Sequence, residues 1–321
     1  MTGTLPPEIQ QVFDRFVTTE YTTIDRQGQP ITWPVTPYYS PGDPCIDLTT
    51  GLGYPKKADD AGANPKVALL FSDPTGSGME EPPQVLVQGT AQVDDRDLAA
   101  NRERYVRESV KKLPATKSML PPKPVRGLFG WYFTRIYVHV RPERIYVWPD
   151  GDPAREPQLL DTHLEEVRSG HVEEPPAEHA PAEGGASAWD RRMEELGERY
   201  RTAVLSLVAP DGFPFSLRLP IELDREARRV RLGGGPLGVP LDPGLACLTA
   251  NDHHPNLLWQ RNFQVRGDLV QERDTWALVP HKLIGGFELP PTSMLSRYRL
   301  NFRKMLAFRK KARSELARRR R

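Results

Sequence analysis

The stretch DLTTGLGYPKKADDAGANPKVALLF, residues 47–71, decides how this chain reads. A β-type run ends in Thr49 and Thr50, and a glycine-containing loop follows through Tyr54 to Lys56 and Lys57. An Asn64-Pro65 turn then enters the apolar run Val67–Phe71. Threonine hydroxyls and loop amides donate hydrogen bonds, and ammonium groups neutralise charge, so together they form the donor set a phosphate needs. On composition alone, solvated surface lysines are the simpler reading of Lys56 and Lys57. Asp47, Asp59 and Asp60 nearby read as groups that orient the lysines rather than as an acid–base pair.

Around this stretch the pattern is short strands broken by turns. Ile9, Val12, Phe13, Phe16 and Val17 give Pro6–Thr18 helical spacing, with Thr4 as the expected cap. YTTID, a turn at Gly28 and PITWPVTPYY form a predicted hairpin, CIDLTT a third strand, VALLF a fourth and QVLVQGTAQV a fifth. A helix over Asp97–Leu113, capped by Asp94-Asp95, precedes strands at GWYFTRIYVHV and RIYVW. Between Asp161 and Ala188 seven acidic residues stand against the single Arg168, and EEPPAEHAPAEGGASA is too polar and proline-rich for a core. That stretch reads as a linker, with a short helix expected around Asp161–Arg168.

The second half then repeats the order of the first. Trp189, Met193, Leu196 and Tyr200 mark an opening helix, and TAVLSLV with FPFSLRLPIEL a hairpin. Gly28 and Pro30 correspond to Gly212 and Pro214. Pro65 corresponds to Pro243 and Gly89 to Gly267, and the separation is 24 residues in both. The second half lacks the inserted helix, and its loop GGGPLGVPLDPG carries no lysine. The expected organisation is residues 1–150 as a cofactor-binding split β-barrel, 151–188 as linker, and 189–321 as a degenerate second barrel ending in a basic helix. The fold class is mainly β with α, two tandem split β-barrels with flanking helices.

The motifs of the first half resemble the pyridoxamine 5'-phosphate oxidase-like family of split-barrel flavoproteins. In that family a strand ending in Ser/Thr leads to a basic loop, with a lysine eight residues before an Asn/Asp-Pro pair. Lys57 stands eight residues before Pro65. VQGTAQV followed by a helix, and GWYFTRIYVHVRPERIYVWPDGD, resemble the strands that follow. The similarity covers about residues 8–150, with a fainter echo over 189–290. It implies FMN as cofactor, with the deazaflavin coenzyme or haem as alternatives. It places the phosphate at Thr49, Thr50 and Lys57, with Lys56 and Tyr54 in the same loop, and the ring near Gln88. The implied function is a flavin-dependent oxidoreductase acting on a small-molecule redox substrate, the two halves forming a pseudo-dimer, with a homodimer of such chains as an alternative. A non-catalytic cofactor carrier or scaffold is the alternative. The Arg-x-His-Asp-Arg motif of members that oxidise pyridoxamine phosphate has no match in PDGDPAREPQLLDTHLEE after Trp148, which speaks against that substrate. No general acid or base stands out.

The rest of the composition is bland. Net charge is +2 and the two cysteines, Cys45 and Cys247, have no metal or disulfide spacing. Neither a signal peptide nor a transmembrane run is present, so the expected location is cytoplasmic. His253, His254 and His281 lack metal-ligand spacing, His139 reads as structural with a haem-ligand role kept open, and Gly233-Gly234-Gly235 reads as a turn. Eleven Lys/Arg between Arg299 and Arg321 face one Glu315. Leu295, Tyr298, Phe302, Met305 and Leu306 predict a helix packed on the second barrel. Its last arginines read as a solvated end, with nucleic acid, anionic lipid or an acidic partner as alternatives.

Overall fold

The computed structural model describes residues 5–119, 130–161, 188–233, 238–239, 241–273, 275–284, 288–289 and 294–319, with the side chains of the last segment described from 307 onward. Residues 162–187 of the predicted 151–188 linker, the Thr4 cap and the apolar stripe Leu295–Leu306 lie outside those residues or side chains.

The first half runs α1 (Pro7–Arg15), β1 (Thr19–Ile24), β2 (Pro30–Val35), β3 (Ile46–Gly51), α2 (Lys56–Ala63), β4 (Lys66–Phe71), β5 (Gln84–Asp94), α3 (Leu98–Lys112), α4 (Gly130–Phe133), β6 (Arg135–Trp148) and β7 (Gln158–Asp161). The second runs α5 (Arg191–Arg199), β8 (Thr202–Val208), β9 (Pro214–Asp224), β10 (Arg229–Leu232), β11 (Gly244–His253), β12 (Gln260–Glu272), β13 (Thr275–Ile284), β14 (Glu288–Leu289) and α6 (Met294–Arg319). The fold is mainly β with helices. Strand order is β2-β1-β4-β5-β6-β3 in the first sheet and β9-β8-β11-β12-β13-β10 in the second, where β10 also pairs β9 and closes the ring. Strands of like rank therefore occupy like places.

Gly89 and Gly267 show why the repeat was visible. Each sits where the register shifts, Gly89 opposite Pro142 and Gly267 opposite Pro280. A Cβ on either would collide with a backbone carbonyl of the next strand, that of Arg141 or of Val279. Only glycine lets the strands approach this closely at the bulge.

The halves meet along a polar seam set in apolar surroundings. Thr32 donates to Ser206 (2.6 Å), Thr22 lies 3.0 Å from Ser216, and Thr22–Thr32 (2.9 Å) with Ser206–Ser216 (2.8 Å) complete a ring of four buried hydroxyls. Ala68, Leu70, Leu86 and Trp148 of the first half belong to the apolar cluster of the second. Alternation explains this: Val67, Leu69, Phe71, Val85 and Val87 on the opposite face fill the first half's own core.

Several local expectations are corrected. Lys56 opens a helix, not a loop, because Pro55 supplies the carbonyl that Ala58 and Asp59 bond. Asp97, rather than Asp94-Asp95, caps α3 by accepting from the Ala99 and Ala100 amides. Gly130–Phe133 is a helical turn, after which Arg135–Trp148 runs as one bulged strand. Of the short helix expected around Asp161–Arg168, only Asp161 is described, and it ends β7, which pairs with β6. The described side chains of α6 pack on the first half: Ala312 is buried in that core and Leu316 lies against it, while the stripe expected to meet the second barrel lies outside the described side chains. Apolar spacing announces that a helix packs but carries no information about which surface receives it.

Candidate functional site

The site is built where β3 hands over to α2. Thr49 and Thr50 are consecutive in a strand, so their side chains leave on opposite faces. Thr50 is buried with Ile46 and Leu48, and its hydroxyl donates to the Tyr54 carbonyl (2.7 Å). Tyr54 N–H in turn donates to the Gly51 carbonyl (2.9 Å). Thr50 thus fastens the loop, while Thr49 shares the other face with Asp47 and Gly51.

Gly51 pairs across strands with Arg135. A Cβ here would stand 2.6 Å from Arg135 Nη1, so the missing side chain makes room for the guanidinium. Arg135 lies over Tyr105 (4.4 Å) and Tyr132 (5.2 Å) and donates to the Tyr105 hydroxyl (3.2 Å). Lys57, half-buried, holds its ammonium 5.4 Å from the centre of the Trp33 ring. Burial, with the charge of Arg135 added, pushes the Lys57 ammonium down to about 8. Among the described residues, no carboxylate forms an ion pair with either cation.

Lys56 is different. One residue earlier on the helix, it points to Asp60 (2.9 Å) and Asp25 (3.7 Å). Of the three aspartates expected to orient lysines, only Asp60 meets one. Asp47 pairs with Arg104 and lies 2.6 Å from His139 Nδ1, and Asp59 meets Arg318 (2.8 Å) and Arg319 (2.5 Å) of the last helix. That helix also lays Phe308 on Tyr54, ring centres 4.8 Å apart.

Gln88 lies elsewhere. Its Nε2 donates to the Pro214 carbonyl of the second half (2.8 Å), and its buried Oε1 has no partner. The structure therefore gathers Thr50, Tyr54, Lys56 and Lys57 in one turn, puts Thr49 on the neighbouring face, and leaves Gln88 at the seam. Arg135 and Trp33 were absent from the sequence reading. Arg135 stands opposite Gly51 through the register of β3 on β6, and Trp33 of β2 meets Lys57 by packing; the sequence displays neither. His253 Nε2 lies 2.9 Å from the Thr18 hydroxyl, His281 is 3.8 Å from Asp268, and no cluster suited to a metal occurs among the described residues. No helix among them is long and apolar enough to cross a membrane.

Neither a protein-family model nor a curated protein matches this chain. Among solved structures it is similar to a general stress protein 26-related protein of the pyridoxinephosphate oxidase family from Clostridium acetobutylicum. Identity there is 13%, over 48% of this chain and 92% of that one, with a TM-score of 0.32. An F420 reductase is 17% identical over 44% of this chain and 98% of that one (TM-score 0.32). The heme storage protein of Vibrio cholerae is 13% identical over 46% and 96% (TM-score 0.32).

Proposed function

We propose that this chain is a flavin-binding oxidoreductase whose first half holds the FMN phosphate at Lys57 and Arg135. The observation that carries the reading is this pair of cations at the turn from β3 into α2, Arg135 opposite Gly51 and Lys57 in the first turn of the helix, with no carboxylate among the described residues in an ion pair with either. The charge of Arg135 adds to burial in lowering the Lys57 ammonium. Two cations held together in a poorly solvated place destabilise the fold unless an anion joins them, and a phosphate dianion has the charge and acceptors to do so. The residues present fit the group. Lys57 would neutralise charge, Arg135 would present its fork, and Thr49 on the same face as Gly51 would add a hydroxyl. Bound FMN supplies two-electron redox chemistry, and the protein orients it and excludes competing reactions. The orphan acceptor Oε1 of Gln88 supports a ring pocket at the seam. The matching strand orders support two copies of one domain, a pseudo-dimer that retains one of two equivalent pockets.

The test is an absorbance spectrum of the purified protein with mass identification of any released small molecule. Released FMN, and weaker reconstitution in Lys57→Ala and Arg135→Ala, are the expected results. The deazaflavin coenzyme carries the same phosphate and a similar ring, and the mass separates it from FMN; a Soret band would identify haem. A protein that stays colourless when offered all three overturns the cofactor reading and leaves a partner-binding role.

A further inference from the structure

A second feature lies on the outer side of the first half, between α3, α4 and the last helix. A cavity of about 370 Å³ opens there, with Leu52, Leu98 and Leu316 among its apolar walls and Arg102, Arg309 and Arg313 around them. Trp131 also lines it. Arg309 and Arg313 stand one turn apart on α6, so both reach the same face. Among the described residues none of the three arginines has an ion-pair partner, and no acidic residue lines the cavity. Arg309 Nε is buried with nothing to receive its hydrogen.

This pattern is unlike the rest of the same helix. Two residues beyond Arg313, Glu315 takes Arg318 and Arg319, and Arg319 also reaches Asp59 and Asp95. The helix end is therefore neutralised internally, and the arginines at the cavity are not. A donor left unpaired in a buried place costs free energy that a ligand acceptor recovers. The apolar walls ask for a hydrocarbon body and the arginines for an anionic head. Arginine's planar fork suits a carboxylate through two parallel hydrogen bonds.

We infer that this cavity binds a small amphiphilic carboxylate, its head on Arg309, Arg313 and Arg102 and its hydrocarbon part against Leu52, Leu98 and Leu316. Neither Lys57 nor Arg135 lines the cavity, and the inference does not rest on the flavin reading. Because one wall is the last helix, occupancy would also tie that helix to the first half.

The probe is 8-anilinonaphthalene-1-sulfonate, an apolar anion whose fluorescence rises on burial, titrated into the full chain and then displaced with decanoate. The expected result is one saturable site that decanoate empties. Arg309→Gln/Arg313→Gln should weaken it about tenfold or more, the loss expected for a charge-assisted hydrogen bond. Ala99→Trp, on the α3 wall, keeps every cation and fills the cavity, so it should abolish binding. Arg318→Gln removes a charge from the same helix outside the cavity and should leave the affinity unchanged. Absence of saturable binding overturns the inference. So does binding indifferent to Ala99→Trp, or binding that falls as much with Arg318→Gln as with the cavity variants, since either would mean attraction to a basic helix and not a site.

Discussion

Glu20 of β1 and Arg218 of β9 form a buried ion pair across the two halves, 2.9 Å apart, with the Glu20 side chain wholly excluded from solvent. Burial raises the Glu20 carboxyl above its ordinary range, and Arg218 is the largest influence against that shift. Ser72 and Asn251 also donate to the carboxylate, at 2.9 and 3.2 Å. Arg218→Ala leaves this charge without its cation and is expected to cost about 3–5 kcal/mol. Chemical denaturation would measure it. The double variant Glu20→Gln/Arg218→Met should be less damaging than Arg218→Ala alone. Equal damage would show that packing, and not charge, holds this part of the seam.

The two bulge glycines should behave alike. Gly89→Ala and Gly267→Ala each drive a methyl into a carbonyl of the neighbouring strand, and a loss of about 1–3 kcal/mol is expected from each. Gly62, inside α2, is the contrast. Its Cβ would rest 3.8 Å from Val93 Cγ2, an ordinary contact. Gly62→Ala should therefore stabilise by about 0.5–1 kcal/mol. Urea midpoints of the three variants check both halves at once.

Lys57 ties stability to ligand affinity. Its ammonium falls from 10.5 in the unfolded chain to about 8 in the fold. Between those values the unfolded state holds more protons, so stability rises with pH across the window. Below it the charged lysine destabilises the ligand-free protein. Lys57→Met should then raise the melting temperature of the ligand-free protein at neutral pH and erase any stabilisation by added inorganic phosphate. In the parent protein that stabilisation should shrink as pH rises through about 8. A phosphate effect that persists in Lys57→Met would remove this lysine from the site.

His139 titrates under the hand of Asp47. The hydrogen bond that the imidazole donates to Asp47 lifts it above 6.5 against the opposing effect of burial. A raised folded value means the pair stabilises fully below 6.5 and that its contribution is lost as pH rises through the folded value. Asp47→Asn should lower the imidazole midpoint followed by NMR and flatten the stability profile over the same range. An unchanged midpoint would assign the shift to another neighbour.

What the sequence disclosed here was punctuation and order. Gly89 and Gly267, each 24 residues beyond a proline, mark the two bulges because no other residue fits there. Lys57 was marked by its spacing to Pro65 only through the family resemblance, and its part in binding phosphate stands as proposed. Arg135 had no such mark, since its place beside Gly51 depends on the register of β3 against β6, a pairing of residues 84 positions apart. The helical start at Lys56 was hidden by its neighbours: Gly51, Gly53 and Pro55 advertise a loop, and only Pro55 as the first-turn acceptor turns it into a helix. The destination of the last helix was equally hidden, because Phe308 meets Tyr54 across the whole length of the chain.

That last contact sets an order of events during synthesis. Ala312 occupies the core of the half that is made first, so that core gains its last contact only after residue 312 has left the ribosome. Domains made first generally fold first; here the first is completed by the last. A ribosome-stalled chain halted before Ala312 should therefore be cleaved by protease within its first half more readily than the released protein.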